Sequence, residues 1–316
     1  MATSTATDFS HGLIEALDKL NGGEHAGYRP AHAKGIMLTG VFTPASEATS
    51  LTRAPHMSRP STPVTVRFSN FAGVPTVADN DPNAASPRGL AVRFHLAEHV
   101  HTDIVAHSHD GFPVRTAEEF LELLRAIGNS GPDAPKPTPV ESFLGSHPKA
   151  LEFVQAPKPI PTSFAKESFF AVSAFKFTNK DGVARYGRYR ILPSAGNEYL
   201  DTAGAAAKSA NFLFDEISER AAKGPIQFRL VVQLAESGDP VNDATIHWPK
   251  DRPELELGTI ALNQRVDDQN EEKRKIIFDP IPRVDGIEPS DDPLFGPRAD
   301  VYLFSGRRRR AAAPKK

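Results

Sequence analysis

Residues 28–35 read Tyr28-Arg29-Pro30-Ala31-His32-Ala33-Lys34-Gly35, and the rest of the chain is best read outward from them. A histidine is followed by a glycine that opens a strand-like run, and an arginine stands three residues before it. That run, Gly35 to Phe42, ends in Thr43-Pro44. On the other side, Phe9, Leu13, Ile14, Leu17 and Leu20 recur at helical spacing, and Asn21-Gly22-Gly23 stops the helix.

Further along, Pro63 to Ser69 alternates and is β-branched, which predicts a strand. Gly89 to Leu96 alternates too, and Thr102 to His107 is predicted to pair with it. Thr116 reads as an N-cap with Glu119 completing a capping box, ahead of a helix that buries Phe120, Leu121, Leu124 and Ile127. Residues 129–165 read as a proline-rich connection. Phe169 to Thr178 and Val183 to Ile191 flank Asn179-Lys180-Asp181-Gly182, a hairpin signal. Ala203 to Ala222 is predicted helical up to Gly224, and Pro225 to Leu234 and Leu255 to Leu262 alternate as strands. Strands in the middle with helices grouped around them argue for an α+β fold built on an antiparallel sheet or barrel, since regular βα alternation is missing.

Composition narrows the function classes. The chain has 316 residues, 39% apolar and 24% charged, enough for a sizeable core. Its 37 Lys and Arg against 39 Asp and Glu leave a net charge of −2, which gives no global field for nucleic acid or an anionic membrane. With no cysteine, thiolate nucleophiles, zinc–thiolate sites, iron–sulfur clusters and cysteine-ligated haem are excluded. No apolar run is long enough to span a bilayer and no signal-peptide pattern opens the chain, so a cytoplasmic protein is expected. Without repeats or a Gly/Ser linker, residues 1–310 are expected to form one domain, and 311–316 a disordered basic tail.

Three features could carry chemistry. Five of the eleven histidines, His95, His99, His101, His107 and His109, fall close together and could hold a metal. No HExxH spacing or carboxylate triad accompanies them, so edge-strand and loop histidines are the simpler reading. The run Arg307 to Arg310 could meet phosphates, but no nucleic-acid-binding motif supports it. Arg298 and Tyr302 stand four apart after Asp291-Asp292-Pro293, which resembles a helix start. That spacing sets a guanidinium beside a phenol, and a neighbouring cation favours phenolate, a hard anionic donor known on haem iron.

The segment around His32 closely resembles the stretch of haem catalases that carries their distal histidine, and the resemblance continues in order. Val66-Arg67-Phe68-Ser69 with Ala72-Gly73, Pro87-Arg88-Gly89-Leu90-Ala91-Val92-Arg93-Phe94, and Asp103-Ile104-Val105 followed by Phe112 are similar to catalase segments. Phe175-Lys176, Trp248-Pro249, Leu262-Asn263 and Phe278-Asp279-Pro280 fall in matching places. Arg298-Ala299-Asp300-Val301-Tyr302 resembles the family's proximal-ligand signature. The agreement covers roughly residues 25–310 and is most similar to the short catalase-related peroxidases.

That resemblance implies a catalase-like antiparallel β-barrel with surrounding helices, lacking the N-terminal arm and the C-terminal helical domain. It implies ferric haem b with Tyr302 as axial ligand beside Arg298, and His32 opposite as general acid/base, oriented by Ser69. Phe112 would stack near the haem plane, and Arg29, Arg67 and Arg309 would neutralise the propionates. Some positions depart from the family. His107 stands where the distal asparagine is expected, with different geometry and charge, and Ser86 replaces the aspartate of the peroxide channel. Lys250 replaces the histidine after Trp-Pro, so no NADPH is expected. The sequence therefore predicts a peroxidase acting on peroxide and small organic donors, a poor dismutase, and a homodimer, with no nucleic acid or membrane partner. Alternatives are a hydroperoxide-rearranging enzyme of the same fold, a non-enzymatic haem carrier or sensor, and a non-haem metal protein using the histidine cluster.

Overall fold

Runs that alternate apolar and polar residues can bury one face against a core and keep the other for a second layer. A computed structural model, which describes residues 2–267 and 275–312, shows how the chain uses them. Its strands are β1 (Gly35–Pro44), β2 (Thr62–Ser69), β3 (Gly89–Ala97), β4 (Val100–His107), β5 (Ile160–Pro161), β6 (Phe169–Phe170), β7 (Phe175–Thr178), β8 (Ala184–Pro193), β9 (Tyr199–Leu200), β10 (Ile226–Leu234), β11 (Glu254–Arg265) and β12 (Ile287–Pro289). Eight of them form an antiparallel ring in the order β10-β11-β1-β2-β3-β4-β6-β8, with β8 pairing back to β10. Closure leaves no long edge to pair with another chain. β7 and β12 continue the sheet from β8, and β5 pairs with β9 apart from it.

The ring encloses an aromatic core. Phe68 stacks on Phe164 at 5.3 Å between centroids and tilts against Phe169 and Phe228, while Leu38, Val92 and Leu230 are buried around them. On β2 the core takes Val64, Val66 and Phe68, which sends Thr65, Arg67 and Ser69 to the opposite face, where they too are buried. β3 and β4 are divided the same way.

The helices around this ring are α1 (Ala2–Leu20), α2 (Ala48–Leu51), α3 (Ala117–Gly128), α4 (Pro139–Ser146), α5 (Pro148–Gln155), α6 (Thr202–Ala206), α7 (Phe212–Lys223) and α8 (Phe295–Ala311). The capping box at the start of α3 is present, Thr116 Oγ1 accepting from Glu119 N at 3.2 Å and Glu119 Oε2 accepting from Thr116 N at 3.2 Å. Leu13 and Leu17 of α1 pack on Ala117, Leu121 and Leu124 of α3.

Some expectations change. Ile127 is 43% exposed and Leu123 is buried instead, because α3 turns Leu123 towards Phe143 of α4. Residues 129–165 are not a plain connection. They contain α4 and α5, and α4 starts from a second capping box, Thr138 with Glu141, behind Pro139. The predicted helix Ala203–Ala222 is two helices. Lys34 Nζ and Asp79 N both donate to Ala210 O at 2.9 Å, and Leu213 N donates to Asp79 Oδ2 at 2.9 Å, so tertiary bonds replace helical ones there. The arginine run belongs to α8, which ends at Ala311, and Arg308 is held by Asp18. Of the expected disordered tail, residues 313–316 lie outside the described residues.

Candidate active site

Strand register builds the site. Antiparallel pairing aligns Gly35 with Ser69, Ser69 with Gly89, Gly89 with His107 and His107 with Phe170, one row across β1, β2, β3, β4 and β6. Two glycines flank the serine, and both are needed for space. A Cβ at Gly89 would lie 2.5 Å from Ser69 Oγ and 2.7 Å from His32 Nδ1. A Cβ at Gly35 would lie 2.1 Å from an Arg67 guanidinium nitrogen.

His32 is set over this row by its own loop. Its φ is 58°, and its N–H donates to Phe71 O at 2.6 Å while Ala33 N donates to Ala72 O at 3.0 Å. A non-glycine residue in the left-handed region is held there by its surroundings. Asn21 clamps the same loop, donating through Nδ2 to Pro30 O at 3.1 Å and accepting from Gly73 N at 2.8 Å. The His32 ring meets Ser69 Oγ through Nδ1 at 3.1 Å and stands edge-on to Phe71.

The electrostatics are those of a buried cationic cradle. Arg67 is 6% exposed and donates to the carbonyls of His32 and Ala33 at 2.8 and 3.2 Å. Arg309 is 4% exposed, donating to Ser305 Oγ at 2.7 Å and Ile276 O at 3.0 Å. Arg29 reaches the same Ile276 carbonyl at 3.2 Å. Burial and the neighbouring cations push Arg67 down to about 9 and Arg309 to about 8. Burial, then Arg67, also holds Arg29 well below the usual guanidinium range, while Tyr302 acts the other way. Among the described residues no carboxylate pairs with Arg29 or Arg67. Burial, followed by the charges of Arg67 and Arg29, pushes His32 down to about 3. His32 is partly exposed, but the ring sits against enough protein for burial to be the first cause of this shift. It is neutral at pH 7.

The structure therefore brings His32, Ser69, Arg29, Arg67 and Arg309 together. Arg29 also links Tyr302 to them, since it feels Tyr302 and acts on His32. Arg298 and Tyr302 lie on α8, with the guanidinium 6.0 Å from the ring centroid. His107 is partly exposed, yet it is held well below its ordinary range, first by burial and then by His109, His32 and Arg298. Its Nδ1 accepts from His109 N at 3.2 Å. That bond sets the neutral tautomer with the proton on Nε2, so His107 is an uncharged donor, not a cation. Phe112 follows five residues later and packs on Phe120 at 5.1 Å.

The rest of the histidine cluster does not converge. His95 and His101 pair across β3 and β4, and His95 Nε2 meets Thr65 Oγ1 at 2.9 Å. His99 is exposed on the turn between them. No group of three metal-ligating side chains occurs among the described residues.

Sequence reading missed two kinds of contributor. Asp79, fully buried, accepts from Lys34 Nζ and Asn70 Nδ2 at 2.7 Å each and fixes the segment after Ser69. Asp103 binds Arg93 at 2.8 and 2.7 Å and Asp279 N at 2.8 Å, and so holds the strip that offers the Ile276 carbonyl to the cradle. Asp79 carries no local signal, and the motif around Asp103 did not reveal its role, because each acts through partners distant in the chain.

The chain matches known proteins over most of its length. The profile of the family described as catalase matches residues 8–314. The chain is 34% identical over 310 residues to a catalase-related peroxidase of Mycolicibacterium paratuberculosis, covering 95% of this chain and 97% of that protein. It is 34% identical over 291 residues to a catalase-related peroxidase of Synechococcus elongatus, covering 91% and 85%. A fungal catalase crystal structure superposes with a TM-score of 0.79 at 22% identity, over 90% of this chain and 60% of that one. No helix among the described residues is long and apolar enough to cross a membrane.

Proposed function

The chain belongs to the catalase family, and from that premise we propose that it is a haem-dependent peroxidase, reducing hydrogen peroxide or organic peroxides with small organic donors and dismutating peroxide only weakly. That it is a peroxide-acting oxidoreductase follows from the family and from the peroxidase relatives. The finer reading rests on one observation: a neutral His32 held by Ser69 over a glycine-flanked row, beside the guanidiniums of Arg29, Arg67 and Arg309.

The residues present fit haem. Arg67, buried, and Arg29, partly buried, meet only carbonyls among the described residues; such guanidiniums favour an incoming carboxylate, and haem carries two propionates. Arg29, Arg67 and Arg309 would hold them, Tyr302 would ligate the iron with Arg298 as its cationic neighbour, and Phe112 would border the porphyrin. When bound, haem supplies an iron at which the peroxide O–O bond is cleaved and its oxidising equivalents are held for the donor. The haem-binding domain proposed spans residues 1–310, since the cradle draws on both Arg29 and Arg309.

The proton work falls to this chain's side chains. The Ser69 contact uses His32 Nδ1, so Nε2 is the nitrogen assigned the proton work. Nε2 accepts the peroxide O–H proton and returns it to the departing oxygen, which leaves as water or an alcohol. His32 suits this because it is neutral. Ser69 fixes the ring, and the left-handed backbone at His32 leaves it little freedom to swing away. His107 Nε2–H is a second, uncharged donor on the same row.

The deciding experiment measures guaiacol oxidation beside oxygen evolution for the haem-loaded protein, together with its absorption spectrum. Donor oxidation that outpaces oxygen release, with the spectrum of tyrosinate-ligated ferric haem, is expected. Vigorous oxygen release without donor oxidation overturns the peroxidase assignment, and a protein that takes up no haem overturns the whole reading.

A further inference from the structure

We infer that the hollow between α5 and the loops carrying His109 and His247 is the seat of a phenolic electron donor. This rests on the peroxidase reading above and adds to it a donor class and a place.

The hollow is lined by His109, Phe112, Lys149, Glu152, Phe153 and His247, with Gly111 and Thr245 at its base. Its cavity volume is about 70 Å³, within about 330 Å³ of empty space that includes open solvent. One aromatic ring can lodge there with its far edge in solvent, and a long acyl chain cannot. Phe112 is both a wall of this hollow and the residue proposed to border the porphyrin. A ring seated here is therefore one side chain away from the place where oxidising equivalents are held.

The lining has the chemistry of a proton-accepting aromatic box. His109 stands edge-on to Phe153 at 4.4 Å between centroids, and the two imidazoles are 6.5 Å apart. Such faces and edges suit a third ring. Neither imidazole has a hydrogen-bond partner for its ring nitrogens among the described residues. Burial, then His247, lowers His109 below its ordinary range, so it is a neutral acceptor at pH 7. Gly111 brings its backbone against His247, where a Cβ would lie 2.6 Å from Nε2. Lys149 and Glu152 pair at 2.9 Å on the rim, so the mouth carries little net charge. Together these features select an uncharged ring with one proton to give, which is a phenol.

The step balances. Each phenol ArOH gives one electron to the oxidised cofactor of the proposed cycle and one proton to an imidazole nitrogen, leaving ArO•. Two phenols reduce one peroxide: ROOH + 2 ArOH gives ROH + H2O + 2 ArO•.

The test uses the ferric haem-loaded protein and guaiacol as probe, with His109→Leu and His247→Leu, the second at an exposed position. Calorimetric titration without peroxide should give one saturable site, weakened at least tenfold in each variant. In turnover the half-saturating guaiacol concentration should rise by a similar factor, with the half-saturating peroxide concentration unchanged. Binding lost in both variants supports the site whether or not guaiacol is oxidised, and absent oxidation then counts against the peroxidase reading alone. Guaiacol oxidised by the parent, with both variants binding and turning it over as the parent does, overturns the site and leaves the peroxidase reading standing.

Discussion

Replacing Gly89 by alanine tests the core of the proposed mechanism with a single methyl group. The added carbon would sit 2.5 Å from Ser69 Oγ, 2.7 Å from His32 Nδ1 and 2.9 Å from His32 Cε1. Ordinary contacts are about 3.5–4 Å, so something must yield by roughly 1 Å. The strand cannot easily do so, because β3 is paired on both sides, Ser69 to Gly89 and Gly89 to His107. The imidazole is the group that gives, and its displacement breaks the 3.1 Å contact with Ser69. Misplacing a reacting group by about 1 Å costs on the order of 10²-fold in rate. Crowding of this kind also destabilises by about 1–3 kcal/mol, a fall of a few degrees in Tm for a chain of this length. Stopped-flow mixing with hydrogen peroxide reads the first effect, and the absorbance of bound haem controls for occupancy. A fully loaded Gly89→Ala protein that reacts with peroxide at the parental rate refutes the assignment of His32 over this row.

Other expectations come from the same contacts. Ser69→Ala removes one hydrogen bond, worth about 1 kcal/mol, so the reaction with peroxide should slow roughly fivefold with haem content unchanged; an unaltered rate means Ser69 does not orient the ring. Because burial is the first cause of the depression of His32 to about 3, the rate should stay flat from neutral pH down through the ordinary histidine range, and an acid limb centred near 6.5 contradicts a buried neutral base. His56, 1% exposed against Phe94 and pushed down to about 4 by burial, binds its proton less readily folded than unfolded. Its contribution is thus intact above about pH 6.5 and lost as pH falls towards 4, by up to ~3 kcal/mol, and denaturant titrations of His56→Phe should show a shallower decline over that window. Thr116→Ala removes half of the α3 capping box and should cost about 1 kcal/mol, read as a lower midpoint of thermal unfolding at unchanged turnover per folded molecule.

Local pattern made much of this legible. The alternation of β2, β3 and β4 was visible in Val64 to Ser69, Gly89 to Leu96 and Thr102 to His107, and Thr116 with Glu119 announced α3. Ring closure was not visible, because it depends on a two-residue strand, Phe169–Phe170, and on the pairing of β8 with β10 across a long stretch of chain. The Ala203–Ala222 stretch has helical propensity throughout, yet Asp79 and Lys34 capture its backbone at residues 210 and 213. The opposite failure occurred at α4, where Thr138, Pro139 and Glu141 carried a start signal masked by the surrounding prolines. At the site, residue types pointed to His32, Ser69 and the arginines through resemblance alone. Why Gly35 and Gly89 matter needed register, since only pairing shows that both border Ser69.

The cradle and the base constrain one another. Arg67 and Arg29 lie near enough to His32 to lower its affinity for a proton, adding to the effect of burial. Cations placed to receive carboxylates therefore make the imidazole a weaker base as long as their charge is uncompensated. Two propionates on those guanidiniums would cancel most of that charge while leaving the burial in place. His32 would then gain basicity when the cofactor is seated, and remain neutral at pH 7 because burial dominates. Burial is the first cause that pushes Arg67 to about 9 and Arg309 to about 8, and the same compensation would relieve the smaller part that neighbouring cations add. Cofactor binding, the local stability of the loop around His32 and the strength of its base are in this view set by one group of charges. That coupling explains why the chain places Arg67 and Ser69 two residues apart on one face of β2: the same strand that anchors the cofactor orients the base.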